Sequence, residues 1–182
     1  MSRLLYLLPL LALIALVTLF VVQMEKPGEG GRLPSALIGK MAPTLELKGL
    51  EPSPGFGAKD LADGQVKIVN FWASWCAPCR QEHSLFARLK GRVALWGINY
   101  KDKAEDALGF LDELGDPFEK IGIDADGQAG LEWGVYGVPE TYVVDGAGRV
   151  VWKHVGPLTP EAIRDDILPA VEKAKLNRAN LN

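Results

Sequence analysis

Leu4 to Val22, "LLYLLPLLALIALVTLFVV", is a run of nineteen residues without a charge, and nothing after it repeats that pattern. A core helix would place polar residues at a period of 3.6, and this run shows no such period. As a helix it spans about 28 Å, close to the hydrocarbon core of a bilayer. Residues 25 to 36, "EKPGEGGRLPSA", are rich in glycine, proline and charge and read as a tether. A short strand is expected near Thr44–Leu47, then a loop broken by Pro52 and Pro54 and a turn at Asp63–Gly64. Val66–Trp72, "VKIVNFW", is short, β-branched and nearly all apolar, the pattern of a central strand buried on both faces. Cys76 to Lys90 is helical in period, with Leu85, Phe86 and Leu89 on one face and Gly91 at its stop. Val93–Tyr100 reads as a second buried strand, and Lys103–Gly115 as a second helix. "EKIGID" is a short strand or extended segment and "GQAGLEWGV" a short helix. Thr141–Asp145 and Arg149–Val155 form a hairpin across "GAG". A last helix begins at Thr159 as N-cap, with Pro160 first. Strand–helix–strand followed by a hairpin and a closing helix predicts an α/β fold, a mixed central sheet with helices on both faces.

Charge adds a direction to the apolar run. Arg3 precedes it, and Glu25 and Lys26 follow it. The positive-inside rule keeps the N-terminus in the cytoplasm and the remainder outside the membrane. A cleaved signal peptide is the alternative, but its apolar region is shorter and ends in a small-x-small site, which "TLFVVQMEKPG" does not offer. The reading is therefore an anchor over 1–24, a tether over 25–40, a globular domain over 41–178 and a tail over 179–182. The net charge is −3, with no basic stripe, which excludes nucleic acid as a partner class.

Both cysteines of the chain lie in "NFWASWCAPCRQEH". A C-x-x-C at the first turn of a helix meets unpaired N–H groups and the positive end of the dipole. Both favour thiolate over thiol, and such cysteines fall from about 8.5 into a range of roughly 3.5–7.5. Cys76, at the helix tip, is expected to be the exposed attacking sulfur, Cys79 the shielded resolving one, and Pro78 to restrain the turn. A structural staple is an alternative, but so short a loop gains little entropy. A metal clamp is another: with His83 or His154 the pair could take a soft ion such as Cu(I), making the chain a copper-delivery protein. His83 otherwise reads as a solvated helix residue, and His154 as a satisfied strand histidine.

"FWASWCAPC" after a buried strand, with "GVPETYVVD" sixty residues later, resembles thioredoxin-fold proteins. The resemblance implies a cis Val138–Pro139 bond packed against the disulfide; cis occurs in about 5–6% of X–Pro bonds. "WCAPCRQEH", "GINYKD", "DADGQAGLEWGVYGVPETYVVD" and the anchor together resemble the CcmG/DsbE family, the membrane-anchored thiol:disulfide interchange proteins of cytochrome c maturation. The similarity covers most of residues 40–175. It implies a reductase in an oxidising compartment, the bacterial periplasm, held single-pass in the inner membrane. Its implied partners are apocytochrome c, whose C-x-x-C-H haem site it keeps reduced, thiol proteins of the maturation machinery, and a membrane electron donor of the DsbD or CcdA kind. It requires no organic cofactor and no metal. A reductase of another envelope pathway is the nearest alternative.

Several neighbours of the sulfurs can be named. Glu82 lies three residues after Cys79 on one helix face, and Glu140 follows Pro139; carboxylates near the sulfurs oppose a thiolate and favour reducing character. Trp72 and Trp75 are expected to flank the pair. Asn99 and Tyr100 end the second strand where binding loops gather, and with Trp72 and Val138 they are expected to line a substrate groove.

Overall fold

The computed structural model describes residue 9 and residues 11–20, 35–43 and 45–179. The chain divides into two units, residues 1–33 and 34–182, and each is described by itself. In the first, residues 9 and 11–20 are helical and their apolar side chains are exposed. No helix among the described residues is long and apolar enough to cross a membrane. The expected span Leu4–Val22 lies partly outside those residues, as do most of the tether and residues 180–182 of the tail.

The second unit runs α1 (Ala58–Leu61), β1 (Lys67–Trp72), α2 (Ala77–Ala87), β2 (Ala94–Tyr100), α3 (Ala104–Leu114), β3 (Lys120–Asp124), α4 (Gln128–Trp133), β4 (Glu140–Val144) and β5 (Val150–Val155). A closing helix, α5, comprises Pro160–Ala162, a π-helical segment Ile163–Ile167, and Leu168–Ala179. The sheet order is β3-β2-β1-β4-β5. β1 pairs parallel with β2 and antiparallel with β4, so the sheet is mixed as expected. Every residue of β1 is buried, as its continuous apolar character predicts.

Period-2 alternation divides the core between the two faces. Ile68 and Trp72 of β1, Leu95 of β2 and Val143 of β4 join Phe86, Phe110, Ile167 and Val171 under α2, α3 and α5. Val69, Phe71, Trp96, Ile98, Tyr142 and Val144 pack on the other face with Leu61 of α1 and Trp133 of α4. Each such side chain contributes about 1.5–3 kcal/mol by leaving water.

The described part of the expected strand at 44–47 is not a regular ladder. Leu47 bridges Phe56 and Gly49 bridges Gly122, and the segment covers the edge of β3 through Ile123 N–H to Lys48 O (2.8 Å) and Ile121 N–H to Pro54 O (3.0 Å). Two prolines that cannot donate explain the irregularity. Residues 37–42, where the boundary between tether and domain is expected, bond to β5 through Gly39 N–H to Val150 O and Val150 N–H to Lys40 O. Thr159 caps α5 as expected, accepting from Ala162 N–H at 3.1 Å.

Candidate active site

β1 ends at Trp72, and a tight turn carries the chain into α2, where Cys76 N–H donates to Ala73 O. Cys76 is the N-cap, and its Sγ accepts from Cys79 N–H at 3.1 Å. The two cysteines are bonded, with Cα atoms 5.2 Å apart. Cys76 is 3% exposed and Cys79 2%. The expected contrast between an exposed and a shielded sulfur is therefore absent in the disulfide form, because the first turn of α2 packs both against the core. What distinguishes Cys76 is the amide hydrogen bond at its sulfur, the arrangement that stabilises a thiolate. Pro78 is exposed in the first turn. Trp75 is 59% exposed beside the pair, its indole N–H held by Lys101 O at 3.0 Å.

Glu82, one turn beyond Cys79, is 1% exposed. Its carboxyl accepts from Leu158 N–H at 2.6 Å and from Asn70 Nδ2 at 3.1 Å. Among the described residues no cation lies within ion-pair distance of it. Burial pushes its carboxyl up to about 7, against the lowering effect of the two donors. The residue is thus a proton-holding group one helical turn from Cys79.

Glu140 does not share this environment. It is fully buried, but Phe71 is its strand partner, so its side chain projects to the face opposite α2. There its Oε2 is 2.9 Å from Lys153 Nζ and accepts from Tyr142 OH at 2.8 Å, while its Oε1 accepts from Tyr136 N–H. The expectation that its charge opposes the thiolate is corrected: strand parity turns it away, and Lys153 neutralises it. Burial, reinforced by the Glu140 charge, raises the Tyr142 phenol well above its ordinary range.

The Val138–Pro139 bond is cis, as is Glu51–Pro52, and Pro139 is buried. Val138 is half-buried and touches both core clusters. Trp72 is corrected from groove to core: 1% exposed, it lies between Phe110 and Phe118 at centroid distances of 5.1 and 5.8 Å. Gly97 makes room for it, since a Cβ there would lie 2.7 Å from the indole nitrogen. Asn99 is likewise corrected to a buried position, 1% exposed, with Nδ2 on Asp102. Tyr100 is half-buried, its ring against Gly130. His83, expected in solvent, is 5% exposed and edge-on to Phe110, with Nε2 2.7 Å from Gly115 O. That carbonyl can only accept, so Nε2 carries the proton, and burial lowers the ring's basicity. His154 stacks on Trp152. Among the described residues no three His, Cys, Asp or Glu side chains assemble a metal site, so neither histidine completes a clamp with the sulfurs.

Comparison with known proteins narrows what such a pair belongs to. Residues 38–168 match the family described as redoxin. The chain is 45% identical over 172 residues to the thiol:disulfide interchange protein HelX of Rhodobacter capsulatus, covering 93% of this chain and 96% of that one. It is 38% identical over 178 residues to the thiol:disulfide interchange protein DsbE of Escherichia coli K12, covering 95% and 96%. The chain belongs to the redoxin family, in its CcmG/DsbE line. A crystal structure of a DsbE-type interchange protein from Chlorobium tepidum superposes with TM-score 0.60 at 32% identity, covering 72% of this chain and 95% of that one. The thioredoxin-like fold and the bonded C-x-x-C pair make this chain a thiol:disulfide oxidoreductase.

Two side chains of this interchange site carried no role in the sequence reading. Asp102 accepts Ser74 N–H at 2.6 Å and Ser74 Oγ–H at 2.8 Å, clamping the turn before Cys76. Lys153, 7% exposed, reaches Gly134 O at 2.8 Å as well as Glu140, and so fixes the loop before Pro139. The register of the hairpin was the available signal for Lys153, which pairs with Tyr142. Asp102 meets Ser74 only through the fold.

Proposed function

We propose that this chain is a membrane-anchored disulfide reductase of the bacterial cell envelope that acts in cytochrome c maturation. Its client is the disulfide of the apocytochrome c C-x-x-C-H haem site, met directly or through a partner thiol protein. The N-terminal apolar run holds it single-pass in the inner membrane, N-terminus in the cytoplasm and catalytic domain in the periplasm. A membrane carrier of the DsbD or CcdA kind reduces it again. What supports this reading is the relation to HelX and DsbE together with the apolar run that begins the chain.

The observation that carries the direction of electron flow is Glu82, buried on the cysteine helix without a cation. A carboxyl in that state disfavours extra negative charge beside it, which works against a strongly stabilised thiolate pair and toward reducing character. In the forward reaction the Cys76 thiolate attacks one client sulfur. The client disulfide breaks, its other sulfur leaves as a thiolate and takes a proton, and a mixed disulfide forms. Cys79 then gives its proton to Glu82, which titrates near neutrality, and attacks the Cys76 sulfur. The Cys76–client bond breaks, the client sulfur leaves as a thiolate and takes the proton held by Glu82, and the client departs as a dithiol while the pair closes to the Cys76–Cys79 disulfide, two electrons having passed to the client.

The test is genetic and chemical together. Cys76→Ala is expected to abolish cytochrome c maturation under oxidising growth, and added thiol reductant to restore it. Cys79→Ser is expected to accumulate a mixed disulfide with apocytochrome c or with a maturation thiol protein. Normal maturation in strains lacking either cysteine overturns the assignment.

A further inference from the structure

We propose that Asp102 is a positioning residue that keeps the Cys76–Cys79 couple reducing, by setting its carboxylate charge at the turn that leads into Cys76, where Ser74 N–H and Oγ–H hold it. The inference rests on the redox reading of the pair and adds a residue to it.

Asp102 stands one residue before the N-cap of α3, outside the cysteine helix altogether. Its carboxylate oxygens receive four hydrogen bonds: Ser74 N–H (2.6 Å), Asn99 Nδ2 (2.9 Å), Ser74 Oγ–H (2.8 Å) and Lys103 N–H (2.9 Å). Two of the four come from Ser74, two residues ahead of Cys76. Next to it, Lys101 carries φ +46°, rare for a residue with a Cβ, and its carbonyl takes the Trp75 indole N–H. The turn 73–76 is thus fastened twice to the end of β2.

This fastening has an electrostatic consequence. Donors near a helix N-terminus stabilise a thiolate there, and a nearby anion destabilises it. Asp102 does both unfavourable things to the Cys76 thiolate at once. It draws the Ser74 amide and hydroxyl protons onto itself, and it sets a negative charge at the same turn. No lysine or arginine among the described residues is within ion-pair distance of Asp102: the Lys101 ammonium lies over the Tyr100 ring, and Arg80 pairs with Glu113. Its charge is therefore not cancelled locally. A thiolate held back in this way raises the cost of the reduced pair, so the dithiol gives up its electrons more readily.

The experiment is a redox equilibrium of the full-length protein with glutathione, in which dithiol plus oxidised glutathione yields the Cys76–Cys79 disulfide and two reduced glutathiones. Asp102→Asn is expected to lower the equilibrium constant for oxidation by about 3-fold or more. Ser74→Ala removes only the hydroxyl donor and keeps the charge, so it is expected to leave that constant within a factor of about 1.5. If the wild-type protein equilibrates with glutathione but Asp102→Asn has the wild-type constant, changing only melting temperature, Asp102 is merely structural and the inference falls alone. If Asp102→Asn fails to fold, Asp102→Ser at the same position is read for the same shift, and no shift there overturns the proposal equally. A wild-type pair that does not exchange with glutathione at all removes the redox reading and this inference with it.

Discussion

Glu82 and Glu140 are the same side chain, both buried, within one domain, and both adjoin elements of the disulfide site. They lie on opposite faces of the sheet and solve burial in opposite ways. On the far face Glu140 has an ammonium, a phenol and an amide, a complete set of partners for a charged carboxylate. Beneath the cysteine helix Glu82 has one amide N–H and one carboxamide, and no cation among the described residues. The first arrangement fixes a loop. The second leaves a group that changes protonation near neutrality, where thiol chemistry needs a proton acceptor. Burial alone does not make a carboxyl reactive; burial without a counter-charge does.

The strongest challenge to that contrast is Lys153→Met. It strands the Glu140 charge among aromatic rings, and urea unfolding is expected to lose about 3–5 kcal/mol. Adding Glu140→Gln to the same chain recovers most of the loss. A single-variant loss under about 1 kcal/mol would mean that the pair is not desolvated.

Glu82→Gln is expected to act with the opposite sign. The Glu82 carboxyl is protonated more readily in the folded state than in the unfolded one, whose ordinary value is 4.5. The folded protein therefore holds an extra proton between pH 4.5 and about 7, and stability declines as pH rises through that window. The variant removes this decline, gaining up to about 3 kcal/mol at pH 8 and nothing at pH 4. Unfolding curves at both pH values check it, and a gain that does not vary with pH contradicts the assignment.

Smaller changes refine the picture. Tyr142→Phe removes a donor to the Glu140 charge and is expected to cost about 2 kcal/mol, read as a lowered melting temperature. Thr141→Val takes one acceptor from Asn70, whose amide lies 3.0 Å from the threonine hydroxyl. That change is expected to cost about 1 kcal/mol in a urea titration. If Thr141→Val proved the more damaging of the two, the weight would lie on the cysteine face after all.

Much of this fold is written in short-range pattern. Val66–Trp72 and Val93–Tyr100 are legible because short, mostly apolar runs with β-branched and aromatic residues, too short for a core helix, read as buried strands. From β1 to β5 the elements form within three residues of where periodicity puts them, whereas α1 (Ala58–Leu61) falls in a stretch that reads as loop and turn. The segment at 47–54 is not legible, since its bonds to β3 depend on a partner far along the chain. Nor is the π-helical segment Ile163–Ile167, whose sequence differs in no obvious way from an ordinary helix. At the site, the cysteine pair and the cis proline follow from motif. His83 could have been placed: Cys79, Glu82, His83 and Phe86 recur at helical spacing, which puts all four on the buried face. Glu140 could have been turned away from the sulfurs by strand parity with Tyr142 and Val144. Asp102 could not, because nothing near it in sequence points to Ser74.

The central claim is that the Cys76–Cys79 pair donates electrons to clients. Its most direct test is the reduction potential of the full-length protein, measured at pH 7. A pair that donates electrons has a value well below the roughly −180 mV of protein disulfide isomerase. A value at or above that level would make the pair an oxidant, and electron donation to clients would be ruled out.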